Sequence, residues 1–111
     1  MYLKDKIQER IQEFLTLCKA HKVKSLYAFG SSVSDRFNET HSDIDLIIEI
    51  DSNDPIERGE FLMSIWDQLE LFFQRKVDLL TYKSIKNPFL RKNIDATKTI
   101  IYDGEKQQIF F

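Results

Sequence analysis

The sequence predicts an α/β (α+β) fold: a small mixed β-sheet flanked by helices. Three observations carry that expectation. The first is the order of patterns along the chain, helix, strand, strand, helix, strand, helix, strand, which calls for helices layered on a sheet. The second is the run DIDLIIEI, residues 43 to 50, whose continuous apolar centre suits a strand inside a sheet rather than at its edge. The third is the short connection between the first two strands. Parallel neighbours need a longer crossover, so part of the sheet should be antiparallel.

Each element has its own signal. Leu3, Ile7, Ile11, Phe14, Leu15 and Cys18 recur at helical spacing among Lys, Glu, Gln and Arg, which predicts one amphipathic helix over 3–21. VKSLYAFG is short, rich in strand formers and stops at Gly30. SSVSDRF then reads as a short helical turn and NETHS as a polar loop before the second strand. Asp54 can cap the next helix, Pro55 fits its first position, and Glu57 has capping-box spacing. Within it Leu62, Ile65, Trp66, Leu69, Phe72 and Phe73 mark a buried stripe, with Phe61, Met63 and Leu71 off it. KVDLLTY, 76 to 82, is a third strand, Asn87-Pro88 opens a short helix to about Ile94, and TKTIIYD is a fourth strand. The terminal Ile-Phe-Phe should pack on this subunit or on a second copy, because three exposed apolar residues at an end are costly.

At 111 residues the chain, 1–111, reads as a single domain with no repeat or linker. A hydrophobic content of 42% with 31% charged residues is ordinary for a soluble globular protein. The net charge of −2 disfavours broad nucleic-acid binding. Cys18 is the only cysteine, which excludes an internal disulfide and a cysteine-built metal site. No apolar run is long enough to span a membrane and no signal-peptide core opens the chain, so a cytoplasmic location is expected.

The chemistry gathers around the second strand. Residues i and i+2 of a strand share a face, so Asp43 and Asp45 project together while Ile44 and Leu46 point to the core. Two carboxylates so close raise one another's pKa unless a cation compensates, and magnesium, a hard ion that takes carboxylate oxygens and leaves room for phosphates, suits them. Asp78 lies in the third strand; if that strand runs beside the second, three carboxylates converge and can hold metal for an in-line phosphoryl displacement. Gly30 lets backbone approach a ligand, and the turn begun by Ser31 and Ser32 favours an anion.

Gly30-Ser31 after a strand, Asp43 and Asp45 in SDIDL, and Asp78 in VDLL together resemble the nucleotidyltransferase superfamily of the DNA polymerase beta type. The similarity is to its minimal nucleotidyltransferases, covers nearly the whole chain and implies their polymerase beta-like fold. It implies that Gly30 and Ser31 hold a nucleoside triphosphate, with ATP the one expected; Ser32 and Arg36 are further nucleotide-binding candidates beside them. It implies further that Asp43, Asp45 and Asp78 bind magnesium and that Asp78 helps activate an acceptor hydroxyl. Many minimal members act as antitoxins of HEPN-domain toxins, some by transferring AMP to a tyrosine of the toxin. Two departures stand out. The gap of eleven residues between Ser31 and Asp43 is one longer than is common, and Ser34 and Asp35 replace the usual Arg-Gly, leaving Arg36 as the nearest arginine.

Simpler roles compete with these. Ser31 and Ser32 could be helix caps. Arg36, His21 and His41 read as solvent-exposed, Trp66, Phe72 and Phe73 as core, and Glu49 as too far along its strand to join the acids. The function expected is magnesium-dependent transfer of a nucleoside monophosphate to a hydroxyl, on a partner protein. The alternative is an antitoxin that neutralises its toxin by docking, through Phe61, Met63 and Leu71, with little or no catalysis. Transfer to RNA or an aminoglycoside is disfavoured, since an acidic chain of this size has no evident domain for either.

Overall fold

The computed structural model describes residues 1–34 and 42–111. Its centre is a five-stranded sheet in the order β3-β2-β1-β4-β5, built from β1 (Val23–Ala28), β2 (Ile44–Ile50), β3 (Val77–Leu80), β4 (Thr99–Asp103) and β5 (Gln108–Ile109). β2 runs antiparallel to β1 and parallel to β3, so the sheet is mixed, as the short first connection predicts. The parallel pair is joined by the 19-residue helix α3 (Pro55–Phe73), a length that a crossover requires. β4 and the short β5 complete the antiparallel side. The sequence pattern did not announce β5: two residues have no period to read. It pairs Ile109 with Tyr102, while Phe111 packs on the core and its carbonyl accepts from Gln8 Nε2, so most of the apolar C-terminus folds onto this subunit.

The helix expected over 3–21 is two helices, α1 (Tyr2–Glu9) and α2 (Ile11–Ala20), broken at Arg10. Arg10 donates from Nη2 to the carbonyl of Phe72 at 2.7 Å and lays its guanidinium 4.1 Å over the Phe72 ring. That carbonyl lies in the last turn of α3, where helix C=O groups lack intrahelical partners and a cation is favoured. Periodicity could not reveal a break caused by a distant helix end. The last helix, α4 (Pro88–Thr97), runs three residues past Ile94, and Asn87 caps it by accepting from Phe89 N and Leu90 N.

One face of the sheet, with Ile44, Leu46, Ile48 and Ile50 of β2 and Val77 and Leu79 of β3, packs into a core with Leu3, Ile7, Ile65 and Leu69 and the rings of Phe14, Phe72 and Phe73. The other face carries a smaller cluster of Phe29, Ile47 and Ile94, supported by Tyr27, Leu80, Tyr82 and Ile85, beneath α4. Three side chains differ from expectation. Trp66 is 37% exposed and spends its indole N–H on the Val77 carbonyl at 2.7 Å, since a half-wet tryptophan can bury its ring and still satisfy its donor. Glu57 pairs with Lys22 at 3.0 Å instead of closing a capping box, although Asp54 does cap α3 through Ile56 N. His21 is not free in solvent: its ring nitrogens meet the Leu17 carbonyl at 2.8 Å and Ser64 Oγ at 2.9 Å, joining α2 to α3.

Candidate active site

The second sheet face is apolar at Ile47 and acidic one step earlier. Parallel pairing sets Asp45 directly beside Asp78, with Leu46 beside Leu79 behind them. Like charges side by side are unfavourable in a sheet. Burial, then Asp78, then Asp43 push the Asp45 carboxyl up to about 6. A group so placed is easily neutralised, by a proton or by a cation.

A turn over Gly30–Val33 closes on this acid pair from the end of β1. Gly30 has φ +62°, and a Cβ added there would stand 3.3 Å from Asp45 Oδ2. Glycine therefore answers two demands at once, a left-handed backbone and space for a carboxylate. Ser32 is buried at 2% exposure, and its Oγ accepts from Asp45 N at 2.8 Å. Ser32, a nucleotide-contacting candidate on sequence, ties the turn to β2 through this bond. Phe29 N donates to the Asp45 carbonyl at 3.1 Å, so turn and strand are joined on both sides of the acid. Ser31 is half-buried at the same turn.

Two residues at the site were missed by sequence reasoning. Thr97, in the last turn of α4, accepts from Gly30 N at 3.0 Å through Oγ1 and donates to the Asn93 carbonyl. This takes up the Gly30 N–H and fixes the turn against α4. No local signal marks a threonine 67 positions away. Lys76 lies 3.9 Å from Asp43 Oδ2, and both are exposed enough for water to weaken the pair. Asp43 thus sits at the rim of the acid pair; among the described residues no three acidic, histidine or cysteine side chains form a ready-made ion cage. Arg36 and His41, like Asp35, lie outside the described residues. Glu49, on the same strand face, is 3.7 Å from Lys24 and apart from the acids.

A cavity of about 540 Å³ lies elsewhere, between the far ends of β2 and β3 and the start of α3, lined by Glu49, Asp51, Ser52, Arg58, Tyr82 and Lys83. Volume alone does not make a site. The cavity lacks the crowded carboxylates that set Asp45 apart, and acids plus a glycine turn are the arrangement that handles phosphate and metal. The oxygen-only donor set of Asp43, Asp45 and Asp78, with the Asp45 carboxyl pushed up by burial and by the two neighbouring acids, suits a hard divalent cation.

A mixed sheet with in-register strand aspartates beside a glycine turn is the framework of a nucleotidyltransferase. Residues 7–101 match the nucleotidyltransferase domain family, and the chain belongs to it. It is 43% identical over 75 residues to a Methanocaldococcus jannaschii protein described as a candidate protein adenylyltransferase, covering 68% of this chain and 73% of that one. Among solved structures it is similar to a candidate minimal nucleotidyltransferase, with TM-score 0.59 and 20% identity over 86% of this chain and 92% of the other. It is also similar to a chain of a toxin-antitoxin crystal structure with AMP-PNP, with TM-score 0.55 and 22% identity, covering 88% and 80%. Both likenesses are of fold, and they agree with the fold expected from the sequence; the family match agrees with the family expected. Among the described residues no helix is long and apolar enough to cross a membrane.

Proposed function

We propose that this chain transfers AMP from ATP to a hydroxyl of a partner protein, with Asp43, Asp45 and Asp78 holding magnesium. The observation that carries the reading is the in-register contact of Asp45 with Asp78 against the Gly30 turn. Magnesium, when bound, neutralises the crowded acids and the triphosphate and polarises the reacting phosphoryl group. Gly30 keeps side-chain bulk out of the triphosphate's path, and Ser31 offers a hydroxyl and backbone donors to its oxygens. Ser32 and Thr97 are positioning residues that fix the turn against β2 and α4. Asp78 accepts the proton of the acceptor hydroxyl. The hydroxyl oxygen then bonds the α-phosphorus, the bond from that phosphorus to the bridging oxygen breaks, and pyrophosphate leaves.

The protein-adenylyltransferase description of the Methanocaldococcus relative and the toxin-antitoxin fold neighbour support protein AMP transfer by an antitoxin; the reading takes a HEPN-type toxin as the acceptor and the cytoplasm as the location. Calorimetric titration with ATP and magnesium tests the site. Saturable binding that an Asp43→Ala/Asp45→Ala double variant loses is the expected result; binding unchanged in the variant would exclude this site. A second reading, neutralisation by docking alone, is favoured by Met63 and Leu71, 71% and 69% exposed on α3. Phe61, grouped with them on sequence, packs against the core instead. Full toxin neutralisation by the double variant would select docking over transfer.

A further inference from the structure

Charge is unevenly spread along this chain. Between residues 83 and 98 stand Lys83, Lys86, Arg91, Lys92 and Lys98 against the single carboxylate Asp95, in a protein of net charge −2. Everything outside this stretch is therefore acidic in sum. Arg91 and Lys98 are engaged: both meet Asp95, at 3.5 and 3.7 Å, and both lie over the Tyr82 ring. Lys83, Lys86 and Lys92 are exposed, and none makes an ion pair among the described residues. In their midst Phe89 is 83% exposed, the most exposed large apolar side chain described, beside Leu90 at 37%. Ile94 is buried against the sheet, so helical spacing turns Phe89 and Lys92 outward together.

We infer that the outer face of α4 is the docking surface for the acceptor, and that the acceptor is an acidic protein segment with an apolar residue. The inference rests on the proposed transfer reaction for its purpose, though the surface can be tested without it. An exposed aromatic anchor flanked along the chain by lysines that make no ion pair among the described residues is suited to seat an apolar side chain and steer acidic neighbours onto it. A nucleic acid needs a basic track that follows several phosphates. Here the cations flank one exposed aromatic within sixteen residues of the chain, and the acidic remainder repels a longer polyanion. Position completes the argument. α4 ends at Thr97, which holds Gly30, and Gly30 lies against Asp45. Phe89 is eight residues from Thr97, about 12 Å along a helix axis. An extended segment anchored on Phe89 brings a hydroxyl to the acid pair roughly four residues from its anchor.

Fluorescence anisotropy with three labelled probes tests this: a short Glu- and Leu-containing tyrosine peptide, the same peptide with Lys for Glu, and a single-stranded RNA of equal length. The acidic peptide should bind at least about tenfold more tightly than the other two, and more weakly as salt rises. Phe89→Ala should weaken it about tenfold, and Lys86→Glu/Lys92→Glu should remove the preference, with circular dichroism and ATP–magnesium binding unchanged in both variants. Equal or tighter binding of the basic peptide or the RNA overturns the proposal, as does indifference to all three substitutions. Failure of wild-type protein to bind ATP and magnesium defeats the transfer reading alone; a preference for the acidic peptide would then still support the docking surface.

Discussion

Asp45 and Glu49 stand on the same face of the same strand, and their surroundings are opposite. Glu49, near the end of β2, is exposed and answered by Lys24 at 3.7 Å. Asp45, near the start, is half-buried, faces Asp78 across the parallel pairing, and is backed by a glycine. Between them Ile47 is buried under α4. Strand alternation assigns both acids to one face, but their neighbours make one an ordinary surface charge and the other a site in need of a cation. A carboxylate set against another carboxylate, where an apolar pair would pack, costs stability and marks a candidate functional site.

The comparison is best broken at the level of activity. Asp45→Asn should lower nucleotidyl transfer at least about a hundredfold, whereas Glu49→Gln should leave it within about twofold, measured as pyrophosphate release with a fixed acceptor. Comparable losses in both would mean that the acids do not differ in role. Gly30→Ala comes next. A non-glycine residue at φ +62° is strained and its Cβ crowds Asp45 Oδ2, so a loss of about 1–2 kcal/mol in denaturant melts is expected, together with weaker ATP binding. A fully stable, fully active alanine variant would contradict the close approach.

The pH dependence sharpens the same contrast without touching catalysis. The folded Asp45 carboxyl titrates near 6, above its ordinary value of 3.8, so the folded state holds its proton more tightly than the unfolded chain does. That group's contribution is fully present below about pH 4, falls as pH rises through 6, and stays lost above it. In the metal-free protein Asp45→Asn should therefore raise stability at pH 7 by about 1 kcal/mol after solvent screening, and by little at pH 4. Added magnesium should raise the wild-type melting temperature more than that of the variant. Identical pH profiles for the two would remove the buried-acid account. Lys24→Ala is the smallest change, at most about 0.5 kcal/mol and vanishing in high salt, because both partners of its ion pair are exposed.

Much of this was legible from local chemistry. The first four strands and the capped start of α3 follow from spacing and residue type, which act over a few neighbours. The break at Arg10 and the bridging His21 depend on partners 62 and 43 positions away, which no local window contains. Trp66 bonds Val77 eleven residues on and the two-residue β5 pairs with the adjacent β4, contacts that neither a period of 2 nor one of 3.6 announces. The site divides along the same line. Three acids and a Gly-Ser turn were visible one by one, and their likeness to a known family joined them before any contact was seen.

The sequence by itself determined the layered architecture, because the periods 2 and 3.6 decide which side chains share a face. It also determined which residues carry negative charge near the most apolar strand. Only the tertiary structure decided that Asp45 meets Asp78, that Ser32 serves the backbone of Asp45, and that Thr97 holds the Gly30 turn. Those outcomes depend on strand register and helix docking, which the cooperative packing of the whole chain selects. A one-residue slip of β3 would turn Asp78 to the opposite face, into the core, and leave Asp45 an isolated acid.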